Sequence, residues 1–157
     1  PIIKEKNILT VVVNKNNQLL VEEKLLEVDE LRSTAVEFLD NGGGQGEEAC
    51  NYCRGKKNPS SSDNPDKAII SLKNDRETSY KIYIAVQNEL VAAYNELRNR
   101  EFLRLNPTMG MNFVEANSKY NDPRTSEEVR DELRPKLDEV KKMFPQKLSE
   151  AEPSKTS

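Results

Sequence analysis

The sequence predicts an α+β fold: a two-layer sandwich in which a small mixed β-sheet carries amphipathic helices packed on one face. Three observations predict it. Short β-branched runs bounded by turn residues, Ile8 to Val13 and Ala68 to Leu72, read as strands. Longer stretches repeat apolar residues at helical spacing and so read as helices with one buried stripe. The elements follow in the order hairpin, helix, strand, long helix, extra helix, strand, and amphipathic stripes in that order find cover against a single sheet.

Ile8 to Val13 is followed by the turn Lys15-Asn16-Asn17, and Gln18 to Glu22 returns as the second strand of a hairpin. Lys24 to Val28 prolongs that sheet. Asp29 offers an N-cap to a helix whose Leu31, Ala35, Phe38 and Leu39 share a face. Asn41-Gly42-Gly43-Gly44 stops it, because glycine enters the left-handed turn past a helix end at least cost. Gly42 to Pro65 is rich in Gly, Ser, Pro and Asn and is expected to be an exposed, partly mobile loop. Ala68-Ile69-Ile70-Ser71-Leu72 is the next strand, and the wholly polar Lys73 to Ser79 reverses the chain, with Ser79 as helix N-cap. Ile82, Val86, Leu90, Ala93 and Leu97 then form one face of a long helix, opposite Lys81, Glu89, Asn95 and Arg98, with Tyr83 and Tyr94 along the edges of the stripe.

Asn106-Pro107 breaks that pattern, and Met109 to Tyr120, to which the pattern assigns no element, follows. Thr125-Ser126-Glu127-Glu128 has the Thr-x-x-Glu form of a capping box, and Val129, Leu133, Leu137, Val140 and Phe144 continue a helical stripe. Pro135 is expected to kink this helix or to mark its true first turn, and Pro145 ends it. The polar tail from Pro153 to Ser157 is expected to be disordered.

A chain of 157 residues can bury roughly two thirds of its unfolded surface. With 35% hydrophobic residues and a mean hydropathy of −0.81, its core must be lean. The 24 basic and 27 acidic residues are interspersed, which disfavours nucleic acid as a partner, since phosphate binding needs a concentrated basic face. No run approaches the ~20 apolar residues that span a bilayer, and no segment of these residues is expected to act as a signal peptide. Without histidine there is no Ser-His or Cys-His nucleophile pair, and no Gly-rich loop leads from a strand into a helix to hold phosphate. No enzymatic activity and no cofactor are expected.

Lys67 to Arg98 resembles the periplasmic part of the ExbD/TolR family of biopolymer transport proteins. The family pattern is an apolar strand, an acidic turn of the form Asp-x-x-x-x-Tyr, here Asp75-Arg76-Glu77-Thr78-Ser79-Tyr80, and a helix. Lys4 to Asn14 with Gln18 to Val21 looks like the family's opening hairpin, and Phe144 to Glu152 like its closing strand. Two inserts depart from the pattern, one between Asn41 and Pro65 and one between the long helix and the last strand. The resemblance implies a post-membrane linker over 1–7, a domain over 8–152 with a loop insert at 42–65 and a helical insert at 106–144, and a tail over 153–157. It also implies a single transmembrane helix ahead of this chain that carries the family's proton-binding acid. The implied place is the inner membrane of a Gram-negative bacterium, with this domain in the periplasm.

The function so implied is that of an ExbD-like subunit of the ExbB-ExbD-TonB motor, which couples the proton-motive force to outer-membrane nutrient and biopolymer transport. Its partners would be an ExbB/TolQ-like channel subunit, a TonB/TolA-like protein that spans the periplasm, and a second copy of itself. The alternative branch is a TolR-like envelope subunit that contacts peptidoglycan. Outside the family stand a free-standing periplasmic ligand-binding module, which needs a sizeable apolar pocket, and an oxidoreductase, which needs a reactive thiol at Cys50.

Cys50-Asn51-Tyr52-Cys53 could be a redox dithiol, half of a zinc site or a small structural disulfide. Zinc wants about four ligands and would have to recruit carboxylates here. A thioredoxin-like role wants the first Cys at a helix N-terminus after a strand, not in a Gly-rich loop. A structural disulfide in an oxidising periplasm is the favoured reading. Asp75 is expected to hydrogen-bond the turn backbone and Tyr80 to pack at the helix start with its hydroxyl outward; the functional alternative makes both part of a rim met by a partner. Gln146, Leu148, Ser149 and Glu150 are candidate partner-binding residues of an open sheet edge, where a partner would add a strand through its backbone. On that view alanine at Glu150 or Glu152 does little, and proline at Ser149 does much. Glu22-Glu23 and Glu127-Glu128 read as solvated or first-turn acids.

Overall fold

Strands β1 (Ile8–Val13), β2 (Leu19–Val21), β3 (Lys24–Leu26), β4 (Ile69–Asn74) and β5 (Leu148–Ala151) form one mixed sheet in the order β3-β2-β1-β4-β5. The computed structural model describes residues 2–151. β1, β2 and β3 pair antiparallel as a meander, whereas β4 lies parallel to β1 and β5 parallel to β4. Parallel neighbours need long connections. Between β1 and β4 the chain supplies helix α1 (Val28–Leu39) and the Gly- and Cys-bearing insert.

Strand side chains alternate between faces, and the register aligns one apolar set across the sheet. Leu9 lies opposite Ile70, and Val11 lies between Val21 and Leu72; with Val13 and Leu19 they are all buried. Ile8, Thr10, Val12, Leu20, Ile69 and Ser71, on the opposite face, are half-buried. The helix stripes are the matching layer. Leu31, Ala35, Phe38 and Leu39 of α1 are buried, as are Val86, Leu90 and Ala93 in the first part of α2 (Tyr80–Leu105). Each fully buried Leu, Val or Phe contributes about 1.5–3 kcal/mol, so these stripes rather than helix propensity hold α1 and α2. The class is the expected α+β one, a small mixed sheet with amphipathic helices on one face.

The chain divides into two units. One takes the residues up to Ala93 and those from Lys147 onward; the other is Tyr94–Gln146. The second unit therefore takes the last turns of α2 as well as α3 (Phe113–Asn121) and α4 (Glu127–Met143). Its core is Phe102, Phe113, Ala116, Leu133, Leu137 and Val140, with Phe102 and Phe113 edge to face at 6.3 Å. Glu101 is wholly buried and receives Arg100 at 2.9 Å and Arg104 at 2.7 Å. Burial alone pushes its carboxyl up, but the hydrogen bonds and charges of Arg104 and Arg100 outweigh it and hold the group below its usual range.

Several local expectations are corrected. Helix α1 is capped by Glu27, whose N–H meets the Glu30 carboxylate at 3.3 Å; Asp29 lies inside the first turn, where its charge still suits the helix dipole. Ser126 rather than Thr125 caps α4, accepting from the Val129 N–H at 3.3 Å, while the Thr125 hydroxyl donates to the Lys119 carbonyl. Pro135 is internal to α4 and does not mark its first turn. The segment Met109 to Tyr120, to which the sequence assigns no element, contains most of α3, with Asn112 and Glu115 forming a capping box. Tyr94 is fully buried rather than at a stripe edge. Residues 5–7 form a 3-10 turn in which Asn7 is buried, so the end of the expected linker belongs to the fold. The tail over 153–157, and Glu152, lie outside the described residues.

Candidate functional site

The acidic turn is pinned to the first hairpin. Asp75 donates its N–H to the Val13 carbonyl at 2.9 Å, and its Oδ1 accepts from the Glu77 N–H at 3.0 Å. The Thr78 hydroxyl lies within hydrogen-bond reach of the Val13 and Asn14 carbonyls, at 3.3 and 3.1 Å. The Ser79 N–H donates to Asn17 Oδ1 at 2.8 Å, and Ser79 Oγ caps α2 by accepting from Ile82 at 3.3 Å. Asp75 thus does what a turn aspartate does, bonding backbone two residues on. Tyr80 does not pack at the helix start: its side chain is 79% exposed. Thr78 and Asn17 were not singled out by the sequence, because their partners are more than sixty residues away.

β5 is an edge strand, and it is locked by its own carboxylate. Glu150 stands opposite Leu72, on the helix-covered face, and accepts from Tyr83 Oη and Gln87 Nε2, each at 2.6 Å. The hydrogen bond to Glu150, with burial and the carboxylate's charge behind it, pushes the Tyr83 phenol up to about 12. Alanine at Glu150 therefore acts on the edge itself, contrary to the sequence expectation. The proline test needs a matching correction. The Ile70 N–H bonds to the Lys147 carbonyl, so by the parallel ladder rule the Ser149 N–H faces β4, and proline there would detach β5. The donors that face away from β4 are those of Leu148 and Glu150. Because β4 and β5 are parallel, Asp75 and Tyr80 follow the same end of the sheet at which β5 finishes, beyond the Lys73–Ala151 pair. Gln146 is exposed and belongs to the other unit.

Cys50 and Cys53 are joined, with an S–S distance of 2.08 Å, and both are buried. The insert around them is not the exposed loop expected from its composition. Asn41 Nδ2 donates to the carbonyls of Asn58 and Ser62 at 2.8 and 2.7 Å, and Asn41 Oδ1 accepts from the Asn58 N–H at 3.0 Å. The Gly43 and Gly44 N–H groups bond to the carbonyls of Ser62 and Asp63, and the Ser62 hydroxyl donates to the Phe38 carbonyl. Asp63 accepts from Lys6 at 2.7 Å and from Asn7 at 3.1 Å. Burial pushes its carboxyl up, but those two donors and the lysine charges hold it below its usual range. A Cβ on Gly43 would strike the Asn58 carbonyl oxygen, so this position needs glycine for close approach.

Among the described residues no group of three or more His, Cys, Asp or Glu is placed to hold a metal ion, and no helix is long and apolar enough to cross a membrane. What the first unit does present, among the described residues, is a sheet whose edge strands are β3 and β5, an exposed tyrosine beside a hydrogen-bonded acidic turn, and a disulfide-bearing insert bonded to its frame. Such an arrangement is suited to contact through backbone and rim. A scan of protein-family models finds no match for this chain, and a search of curated proteins likewise finds none.

Proposed function

We propose that this chain is the periplasmic domain of an ExbD-like subunit of a proton-driven inner-membrane motor, and that it transmits force by binding rather than by catalysis. In this reading it works beside an ExbB/TolQ-like channel subunit and engages a TonB/TolA-like protein, and the proton-carrying acid belongs to a transmembrane helix outside this chain. One observation carries the reading. The segment that resembles the family, strand, Asp75 to Tyr80 turn and helix, forms one hydrogen-bonded corner of the sheet, with β5, the segment like the family's closing strand, paired directly against β4.

The partner segment is placed along β5, whose outward backbone groups are those of Leu148 and Glu150, with Tyr80 on the rim. The test is to titrate isotope-labelled domain with peptides from the periplasmic linker of a TonB-like protein and follow amide shifts. Shifts across residues 146–151 and Tyr80, weakened by Leu148→Pro, are expected. Shifts confined to the Cys50–Cys53 insert or to α4 would sink the edge-strand reading. Substrate turnover by the purified domain, abolished by changing one particular carboxylate, would sink the non-catalytic one.

A further inference from the structure

We propose that the opposite edge of the sheet, β3 with the cleft beside it, binds an extended basic segment of a partner protein. β2 and β3 are joined by Glu22 and Glu23, both at positive φ, 51° and 68°. A two-residue turn of this mirror type closes on a hydrogen-bonded pair, here Val21 with Lys24, and antiparallel alternation makes Leu19 with Leu26 the next one. Leu20 and Leu25 between them are a non-bonded pair. The N–H and C=O of Leu25 therefore point away from β2, on the side where, among the described residues, the sheet has no further strand. The Leu25 side chain is itself 66% exposed.

Beside this edge lies a cleft of about 420 Å³. Leu26, Val28 and Ile82 give it an apolar floor, and its charged lining residues are two carboxylates, Glu27 and Glu30. Both are exposed, and Glu23 adds a third carboxylate at the turn; Glu22 is engaged by the Thr10 N–H, and the exposed Lys24 of β3 offsets one of these charges, so the edge stays net acidic. An extended peptide laid here gains two main-chain hydrogen bonds opposite Leu25. It sends alternate side chains toward the Leu26 and Ile82 floor, and a lysine or arginine flanking them meets Glu27 and Glu30. Charge selects the occupant. A second copy paired here would bring the same acids against themselves, and an acidic peptide would be repelled. This binding does not depend on the motor reading, and it uses a different edge from β5.

The probe is the capped peptide Lys-Val-Thr-Val-Lys-Val-Thr-Val-Lys, with its Lys-to-Glu counterpart as control, titrated into the labelled domain. Amide shifts are expected at Leu25, Leu26, Glu27, Glu30 and Ile82, with the lysine peptide at least about tenfold tighter than the glutamate peptide and weakening as salt rises. Leu25→Pro removes the outward donor and no ladder bond, and should weaken binding by about tenfold or more. The pair Glu27→Gln and Glu30→Gln should remove the preference for lysine, and glutamine at 30 keeps the α1 cap, so this variant serves even if Leu25→Pro folds poorly. Equal binding of both peptides, shifts that gather at β5, or no shift at millimolar peptide would overturn the proposal. Concentration-dependent shifts of the free domain at Leu25 would also overturn it, by assigning the edge to a second copy.

Discussion

At Glu23 the backbone sits at φ 68°, where a side chain is strained and glycine is not. Glu23→Gly is expected to raise stability by about 0.5–1 kcal/mol, read as a higher urea midpoint with unchanged slope. Glu22 is different, since its carboxylate accepts the Thr10 N–H at 2.8 Å and extends the ladder. Asn41→Ala is expected to cost about 3 kcal/mol, because three hydrogen bonds to backbone groups of the insert lose their partner at once. Glu150→Gln should bring the Tyr83 phenol down from about 12 toward its usual range near 10, visible in the pH titration of its ring resonances. None of these three residues stood out in the sequence for the reason that makes it matter. In the sequence Asn41 reads as a helix stop and Glu22-Glu23 as solvated acids, because a side chain's distant backbone partner leaves no trace in local pattern.

Among the elements, those legible in advance were the ones whose evidence is local. The stripes of α1, α2 and α4 and the strands β1, β2 and β4 each carry their own periodicity, and the buried residues Leu31, Val86, Leu90, Leu133 and Leu137 fall where the period puts them. The insert was not legible. Its Asn, Ser and Gly residues satisfy one another's backbone across spans of about twenty residues, and composition alone cannot distinguish that from a loop. The same fact decides what the disulfide is worth. Cys50 and Cys53 close a loop so short that joining them yields at most about 2 kcal/mol, less than the Asn41 network supplies. Cys50→Ala with Cys53→Ala should therefore cost less than Asn41→Ala under the same denaturant titration. The β5 edge was legible as an edge, from Pro145 and the short polar strand after it; the Glu150 lock was not, since Tyr83 lies 67 positions back.

For the molecule as a whole, acid and alkali should loosen different parts. Glu101 and Asp63 have folded pKa values below their ordinary ones, so their stabilisation is full above about pH 4.5 and is lost as pH falls further. Tyr83 is the reverse case: its contribution is full below pH 10 and fades as pH rises through about 12. A denaturation midpoint flat from pH 5 to 9 and falling on both sides is the expected profile. The motor reading also predicts weak two-fold self-association, seen as a rising sedimentation coefficient at high concentration; it falls to β5, where the second copy competes with the partner segment, because β3 pairing would set acids against acids. The pairing of Ile70 with Leu148 has one more consequence, in time rather than in space. The ribosome delivers β4 long before β5, and during that interval β4 has a finished hairpin on one side and nothing on the other. A nascent or refolding chain is therefore open, for as long as the last strand is missing, to the β5 of a neighbour. Refolding yield should accordingly fall as protein concentration rises, and a synthetic peptide of residues 146–151 added in excess should restore it.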